Sequence, residues 1–194
     1  MQAEIEAKFL NVSHDEIREK LQALGAVCEK PMRLMRRVTF ENAAMKAKGG
    51  RIRVRDEGDK TTVAYKQVSQ LTIDGVHEHE TTTGDFDVMV AIFGELGLDG
   101  GSFQESKRET WRLGDTEVML DEWPWLAPYI EVEAPSEARV REVSAALGLD
   151  WALAKFGDVM VAYREQYPHL GERGTVVNLA FVRFSDPLPD IFRP

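Results

Sequence analysis

Gln2-Ala3-Glu4-Ile5-Glu6-Ala7-Lys8-Phe9-Leu10 decides the fold class. Gln2, Glu4, Glu6 and Lys8 fall on one side of an extended chain, and Ala3, Ile5, Ala7 and Phe9 on the other. That period of two marks a strand with a single apolar face. The same alternation returns downstream. Arg51, Arg53 and Arg55 oppose Ile52 and Val54; Glu78, Glu80 and Thr82 share a side; Glu131 and Glu133 oppose Ile130 and Val132. Strands are predicted at 27–40, 51–56, 60–68, 76–83, 102–113, 116–123 and 129–134.

Between the strands lie helix signals. Ser13-His14-Asp15-Glu16 is a capping box, and Val12 with Ile17 has the spacing of a hydrophobic staple. Ile17, Leu21 and Leu24 form a stripe that stops at Gly25. A second amphipathic helix opens at Gly84 or Asp85, buries Phe86, Val90 and Phe93, and stops near Gly97. A third runs from Pro135-Ser136 to Gly148, and Asp150 caps a fourth over 151–166. About eight strands with few helices predict an α+β protein with an antiparallel sheet, closed or nearly closed. Residues 1–167 read as one domain and 168–194 as a tail with four of the eight prolines and one apolar stretch from Val176 to Phe184.

Composition narrows the function classes. The chain has 194 residues, 43% hydrophobic and 29% charged, as expected of a globular protein able to bury its own core. Its net charge is −9, from 24 Lys+Arg against 33 Asp+Glu, which argues against a general nucleic-acid binder. A basic cluster can still hold a small anion inside an acidic protein. The single cysteine, Cys28, reads as a small buried hydrophobe, since it has no partner for a disulfide or a zinc site. The charged N-terminus lacks the order of a signal peptide, and no apolar run reaches the roughly 18–20 residues that span a bilayer. A cytoplasmic protein without membrane partners is expected.

If the apolar strand faces pack against the helices, the charged faces meet inside the sheet. Opposite charges crowded into one lumen are costly unless something neutralises them, so an occupant is implied. Arg and Lys suit phosphate oxygens, and clustered carboxylates suit Mg²⁺ or Mn²⁺. Glutamates at i and i+2 lie about 6.6 Å apart along a strand. That spacing could share one ion or flank two, about 3.5–4 Å apart. Metal and cations on one anion are the general arrangement for phosphoryl transfer.

Glu4-Ile5-Glu6-Ala7-Lys8 resembles the ExExK signature of the CYTH superfamily, the triphosphate tunnel metalloenzymes. Further matches follow in order. Arg51-Ile52-Arg53-Val54-Arg55 is similar to the family's basic strand, Ala64-Tyr65-Lys66 to its tyrosine-lysine strand, and Glu78 with Glu80 to its paired-glutamate strand. Lys107-Arg108-Glu109, Asp121-Glu122 and Ile130-Glu131-Val132-Glu133 resemble the next basic strand, the aspartate strand and the closing ExE strand. The resemblance covers about residues 1–167. It implies an eight-stranded antiparallel closed barrel, or tunnel, with helices outside, binding a triphosphate-containing small molecule and Mg²⁺ or Mn²⁺.

On this resemblance Glu4, Glu6, Glu131 and Glu133 hold metal, with Asp121 near it. Lys8, Arg51, Arg53, Arg55, Lys66 and Arg108 bind the triphosphate. Glu78 and Glu80, with Lys66, serve the chemistry by orienting the basic groups or the attacking group. Two departures stand out. Ser106 occupies a place where the family often has lysine, and Lys107 has the wrong parity to replace it. The second strand reads Met35-Arg36-Arg37-Val38-Thr39-Phe40 in place of the usual aspartate and tyrosine, so Arg37 offers a cation where Ser106 removes one.

Three functions compete. The first is a metal-dependent triphosphatase acting on inorganic triphosphate, thiamine triphosphate or a nucleoside triphosphate. The second is a class IV adenylate cyclase that converts ATP to cyclic AMP and pyrophosphate. The third is a non-catalytic polyphosphate or nucleotide binder, disfavoured by the number of carboxylates. His77 and His79 have the opposite parity to Glu78 and Glu80 and read as surface residues. Trp123-Pro124-Trp125 reads as packing or loop rim, Trp151 and Phe156 as core, Lys155 as a solvated lysine, and Gly49-Gly50 as a turn without Walker spacing. The tail covers a tunnel mouth, pairs with a second copy in a homodimer, or wraps the domain; all three remain open.

Overall fold

The computed structural model describes residues 2–171 and 176–193. Strands β1 (Gln2–Glu4) and β2 (Glu6–Leu10) divide the N-terminal stretch at Ile5. Helix α1 (His14–Ala23) follows, then β3 (Val27–Glu41), the short α2 (Ala43–Lys46), β4 (Gly50–Asp56), β5 (Thr61–Val68) and β6 (Val76–Thr83). Helix α3 (Phe86–Glu95) leads to β7 (Asp99–Leu113), β8 (Thr116–Glu122) and β9 (Tyr129–Glu133). Helices α4 (Glu137–Ala146) and α5 (Met160–Gln166) and the two-residue β10 (Phe181–Val182) complete it.

The strand order is β1-β6-β5-β4-β3-β7-β8-β9-β2, antiparallel throughout; β10 adds to β7 in parallel. The sheet curls, because inward residues of all nine path strands line one cavity. It is nevertheless open, which corrects the closed barrel expected from the sequence. β1 pairs with β6 and β2 with β9, and no ladder joins β1 to β2. Past Ile5 the chain leaves β6. Glu6 N donates to the Ile73 carbonyl at 3.1 Å, while Lys8 and Lys155 exchange two backbone hydrogen bonds of 2.9 Å. The seam is thus filled by a turn and a C-terminal segment.

The apolar faces point outward against the helices. Ala7, Phe9, Val118, Leu120, Ile130 and Val132 pack with Ile17 and Leu21 of α1 and Val140, Val143 and Leu147 of α4. Ser13 caps α1, accepting from Glu16 N, and Gly25 ends it at φ 77°, a conformation that favours glycine. Leu24, expected on the buried stripe, is 40% exposed because the chain turns there. Asp85 caps α3, whose Phe86 joins Val38, Phe40 and Val54 in a second cluster.

A third cluster gathers Trp123, Tyr129, Val159, Met160, Tyr163, Val176, Val182 and Phe192, so C-terminal residues pack against one end of the cavity. Here the fourth predicted helix is corrected. Asp150 caps only a 3₁₀ turn, Trp151–Leu153, and α5 starts at Met160. Between them Lys155 pairs with β2, and the chain then bends at Gly157, φ 111°, and Asp158 into α5. Cys28 is exposed, not buried, since the first three residues of β3 are all exposed. No described helix is long and apolar enough to cross a membrane.

Candidate active site

Strand parity builds the cavity. Each inward residue lies two positions from the next, so β4 contributes Arg51, Arg53 and Arg55, β6 contributes Glu78 and Glu80, and β9 contributes Glu131 and Glu133. The cavity volume is about 370 Å³. All thirteen residues singled out in the sequence line it: Glu4, Glu6, Lys8, Arg51, Arg53, Arg55, Lys66, Glu78, Glu80, Arg108, Asp121, Glu131 and Glu133. His79 is exposed and lies outside, as its parity requires.

The two signs of charge are unevenly spread. Adjacent β3 and β4 form a cationic wall with Arg33, Arg37, Arg51, Arg53 and Arg55. Across the cavity, β2, β9 and β8 form a carboxylate wall. There Glu6, Glu133 and Glu117 stand in one cross-strand row, with Glu131 and Asp121 nearby.

Ion pairs hold most of these groups. Lys8 Nζ lies 2.6 Å from Glu6 and 3.1 Å from Glu131. Arg108 reaches both Asp121 and Glu131 at 2.6 Å. Lys66 bridges Glu4 at 2.8 Å and Glu78 at 3.2 Å. Arg53 joins Glu78 at 3.1 Å to Glu80 at 2.9 Å, Arg55 pairs with Glu57, and Arg51 meets Asp158 at 3.2 Å. Although burial opposes its charge, Glu131 and Glu6 raise the Lys8 ammonium above its ordinary range. Burial also opposes ionisation of Glu131, but Lys8 and Arg108 hold it well below the usual carboxylate range.

Two groups lack an ion-pair partner among the described residues. The Glu133 side chain makes no hydrogen bond or ion pair there. Burial, then Glu6, Glu4 and Glu117, push it up to about 7. Arg37 has no carboxylate partner among the described residues; burial and the neighbouring Arg53, Arg51 and Arg55 lower it to about 9. Buried guanidinium Nε atoms of Arg33, Arg53 and Arg55 also lack acceptors.

Several lining residues escaped the sequence reading. Arg33 shares the parity of Arg37, which the sequence had offered as an extra cation, and Glu117 shares that of Met119 and Asp121, signals that were available in the alternation. Glu57, buried in the turn after β4, and Asp158, from the C-terminal segment, depend on tertiary placement. Trp123, expected at a rim or in packing, is buried and also lines the cavity. Among the described residues no three Asp, Glu, His or Cys side chains converge as a ready-made metal cage, because cations separate the carboxylates.

Comparisons agree with this geometry. PH1012 from Pyrococcus horikoshii superposes with a TM-score of 0.70 at 20% identity, covering 82% of this chain and 98% of that one. A candidate adenylate cyclase from Vibrio parahaemolyticus gives 0.71 at 12% identity, covering 83% and 97%. HpAC1 from Hippeastrum, a candidate adenylyl cyclase in which triphosphatase activity dominates, gives 0.55 at 16%, covering 85% and 96%. At these identities the likeness concerns the fold. Among curated proteins compared by sequence, none matches. The sequence profile of the CYTH domain matches residues 2–150, and with this fold and lumen the chain belongs to the CYTH domain family.

Proposed function

We propose that this chain is a divalent-metal-dependent triphosphatase that cleaves a phosphoanhydride bond of a triphosphate-containing substrate in the lumen. The observation that carries this reading is the confrontation of a cationic wall with a carboxylate wall across about 370 Å³. A pure anion binder has no use for the second wall. A pure metal binder has no use for the first.

Arg51, Arg53, Arg55, Lys66, Lys8 and Arg108 would receive the phosphate oxygens as charge-assisted donors. A divalent ion suits Glu4, Glu6, Glu131 and Glu133, with Asp121 nearby. The fit is carried by Glu133, a half-buried cavity carboxylate without an ion-pair partner among the described residues. When bound, Mg²⁺ or Mn²⁺ supplies Lewis-acid polarisation of phosphoryl oxygen. Glu78 and Glu80, ion-paired with Lys66 and Arg53, would orient those cations and accept the proton of attacking water. Water would add to the terminal phosphorus, its proton passing to a carboxylate, the bridging P–O bond would break with its electron pair staying on the departing diphosphate, and orthophosphate would be released.

Hydrolysis is favoured over cyclisation because a cyclase must also hold a nucleobase. The aromatic lining residues are Tyr129, which is buried, and Trp123, whose ring carries Arg37 at 4.2 Å. Product analysis with Mg²⁺ and then Mn²⁺ tests this on inorganic triphosphate, thiamine triphosphate and ATP. Orthophosphate release supports the reading; cyclic AMP and pyrophosphate from ATP would replace it with the cyclase.

A further inference from the structure

Arg37 differs from the other lumen arginines in what holds it. Arg33, Arg51, Arg53, Arg55 and Arg108 all lie within ion-pair distance of a carboxylate. Arg37 has two neutral supports. Its Nε donates to Gln104 Oε1 at 2.9 Å, and its guanidinium lies over the Trp123 ring at 4.2 Å. Gln104 is 1% exposed and Trp123 5%, so both supports are fixed in the protein interior. Together they set the plane of the fork, while no carboxylate among the described residues takes its Nη donors. The carboxylate that feels Arg37 electrostatically, Asp158, is ion-paired with Arg51, so a half-buried Arg37 has no carboxylate of its own and a ligand anion is the group that would complete it.

Its position indicates which part of a ligand it meets. Trp123, Tyr129 and Val159 line the cavity and also belong to the cluster built with Tyr163 and Phe192. Arg37 therefore sits at the end against which the C-terminal residues pack. Exposed Glu29 and Lys60 mark the other end. A ligand entering there reaches Arg37 with its leading end. The face of Trp123 is already covered, leaving no stacking surface for a base at this point. A planar fork with free donors matches a phosphate in bidentate contact.

We propose that Arg37, positioned by Gln104 and Trp123, receives the unesterified terminal phosphate of a polyphosphate that enters from the Glu29 and Lys60 end. This rests on reading the cavity as a triphosphate site. The substrate class it implies is a phosphoanhydride chain with at least one free end. A triphosphate capped at both ends cannot use Arg37.

The full chain, free of divalent metal, is titrated calorimetrically with inorganic triphosphate and with diadenosine triphosphate, which lacks a terminal phosphate. Arg37→Met should weaken inorganic triphosphate by about a hundredfold, the scale of a lost charge-assisted pair, and leave diadenosine triphosphate unchanged. Arg37→Lys, which keeps the charge but not the fork, should fall between and guards against a folding defect. Gln104→Leu should cost roughly tenfold in the native background and nothing further in Arg37→Met, as expected of a residue acting through Arg37. Equal loss for both probes, or no loss for either, overturns the proposal while the triphosphate reading stands. Failure of the native chain to bind inorganic triphosphate overturns both.

Discussion

The two walls of the lumen face the same problem, charge removed from water, and meet it differently. On the carboxylate wall Lys8 and Arg108 are interleaved with Glu6, Glu131 and Asp121, so most charges are neutralised locally. On the cationic wall Arg37 and Arg55 stand directly opposite each other in the β3–β4 ladder, and burial together with like charges lowers both, Arg55 to about 10. Each wall keeps one group without an ion-pair partner among the described residues, Glu133 on one side and Arg37 on the other. The difference teaches where the two components of a metal–polyphosphate complex would lie. On the proposed function, metal would lie beside Glu133 and phosphate beside Arg37.

Removing a charge from the middle of the network should produce the largest effect. Arg53 is 7% exposed and holds Glu78 and Glu80. Arg53→Ala leaves two carboxylates without that partner and should destabilise the protein by about 3–5 kcal/mol while abolishing triphosphate binding. Denaturant titration and calorimetry read the two losses. An unchanged midpoint would show that the cationic wall does not depend on its acidic partners.

Glu133→Gln tests the opposite wall and separates stability from function. Metal-dependent turnover should fall by at least about a hundredfold, on the scale of losing one charge-stabilising group. Stability should move the other way. The native pKa of Glu133, about 7, lies above the ordinary 4.5, so between these values the native state binds more protons than the unfolded state. Its stability contribution is complete below about pH 4.5 and is lost as pH rises through 7. At pH 8 the metal-free variant should exceed the native protein by up to roughly 3 kcal/mol, narrowing towards zero near pH 4.5. Urea midpoints across that window check the sign; a gap that widens towards acid would contradict it.

Smaller effects should arise outside the walls. Tyr163 donates to the Pro124 carbonyl at 2.8 Å. Tyr163→Phe should cost about 1–3 kcal/mol by leaving that carbonyl unsatisfied, with turnover at saturating substrate preserved. His79→Ala, on the exposed side of β6, should stay within about 0.5 kcal/mol and keep its activity. Loss of activity there would mean that the register of β6, and with it the inward placement of Glu78 and Glu80, is wrong.

Much of the lumen was legible because strand parity is a local property. Once Glu4, Glu6 and Lys8 share a face, their common orientation follows from the pleat, and the same holds for Arg53 with Arg55 and Glu131 with Glu133. What joins the strands was not local. The open seam exists because Lys155, far along the chain, supplies backbone partners to Lys8 where β6 does not. Asp158 and Glu57 reach the cavity through a tertiary crossing and a turn. The isolation of Arg37 is equally non-local, because it depends on Asp158 pairing with Arg51 and Glu57 with Arg55. Cys28 was misread because its chemical type favours burial while its place on β3 does not.

The most direct test is orthophosphate release from inorganic triphosphate by the native chain and Glu133→Gln, each with Mg²⁺ and with the metal chelated. Release by the native chain with Mg²⁺, and by neither protein otherwise, is the expected result. Equal release by the variant, or undiminished release after chelation, would contradict a metal-dependent triphosphatase built on these two walls.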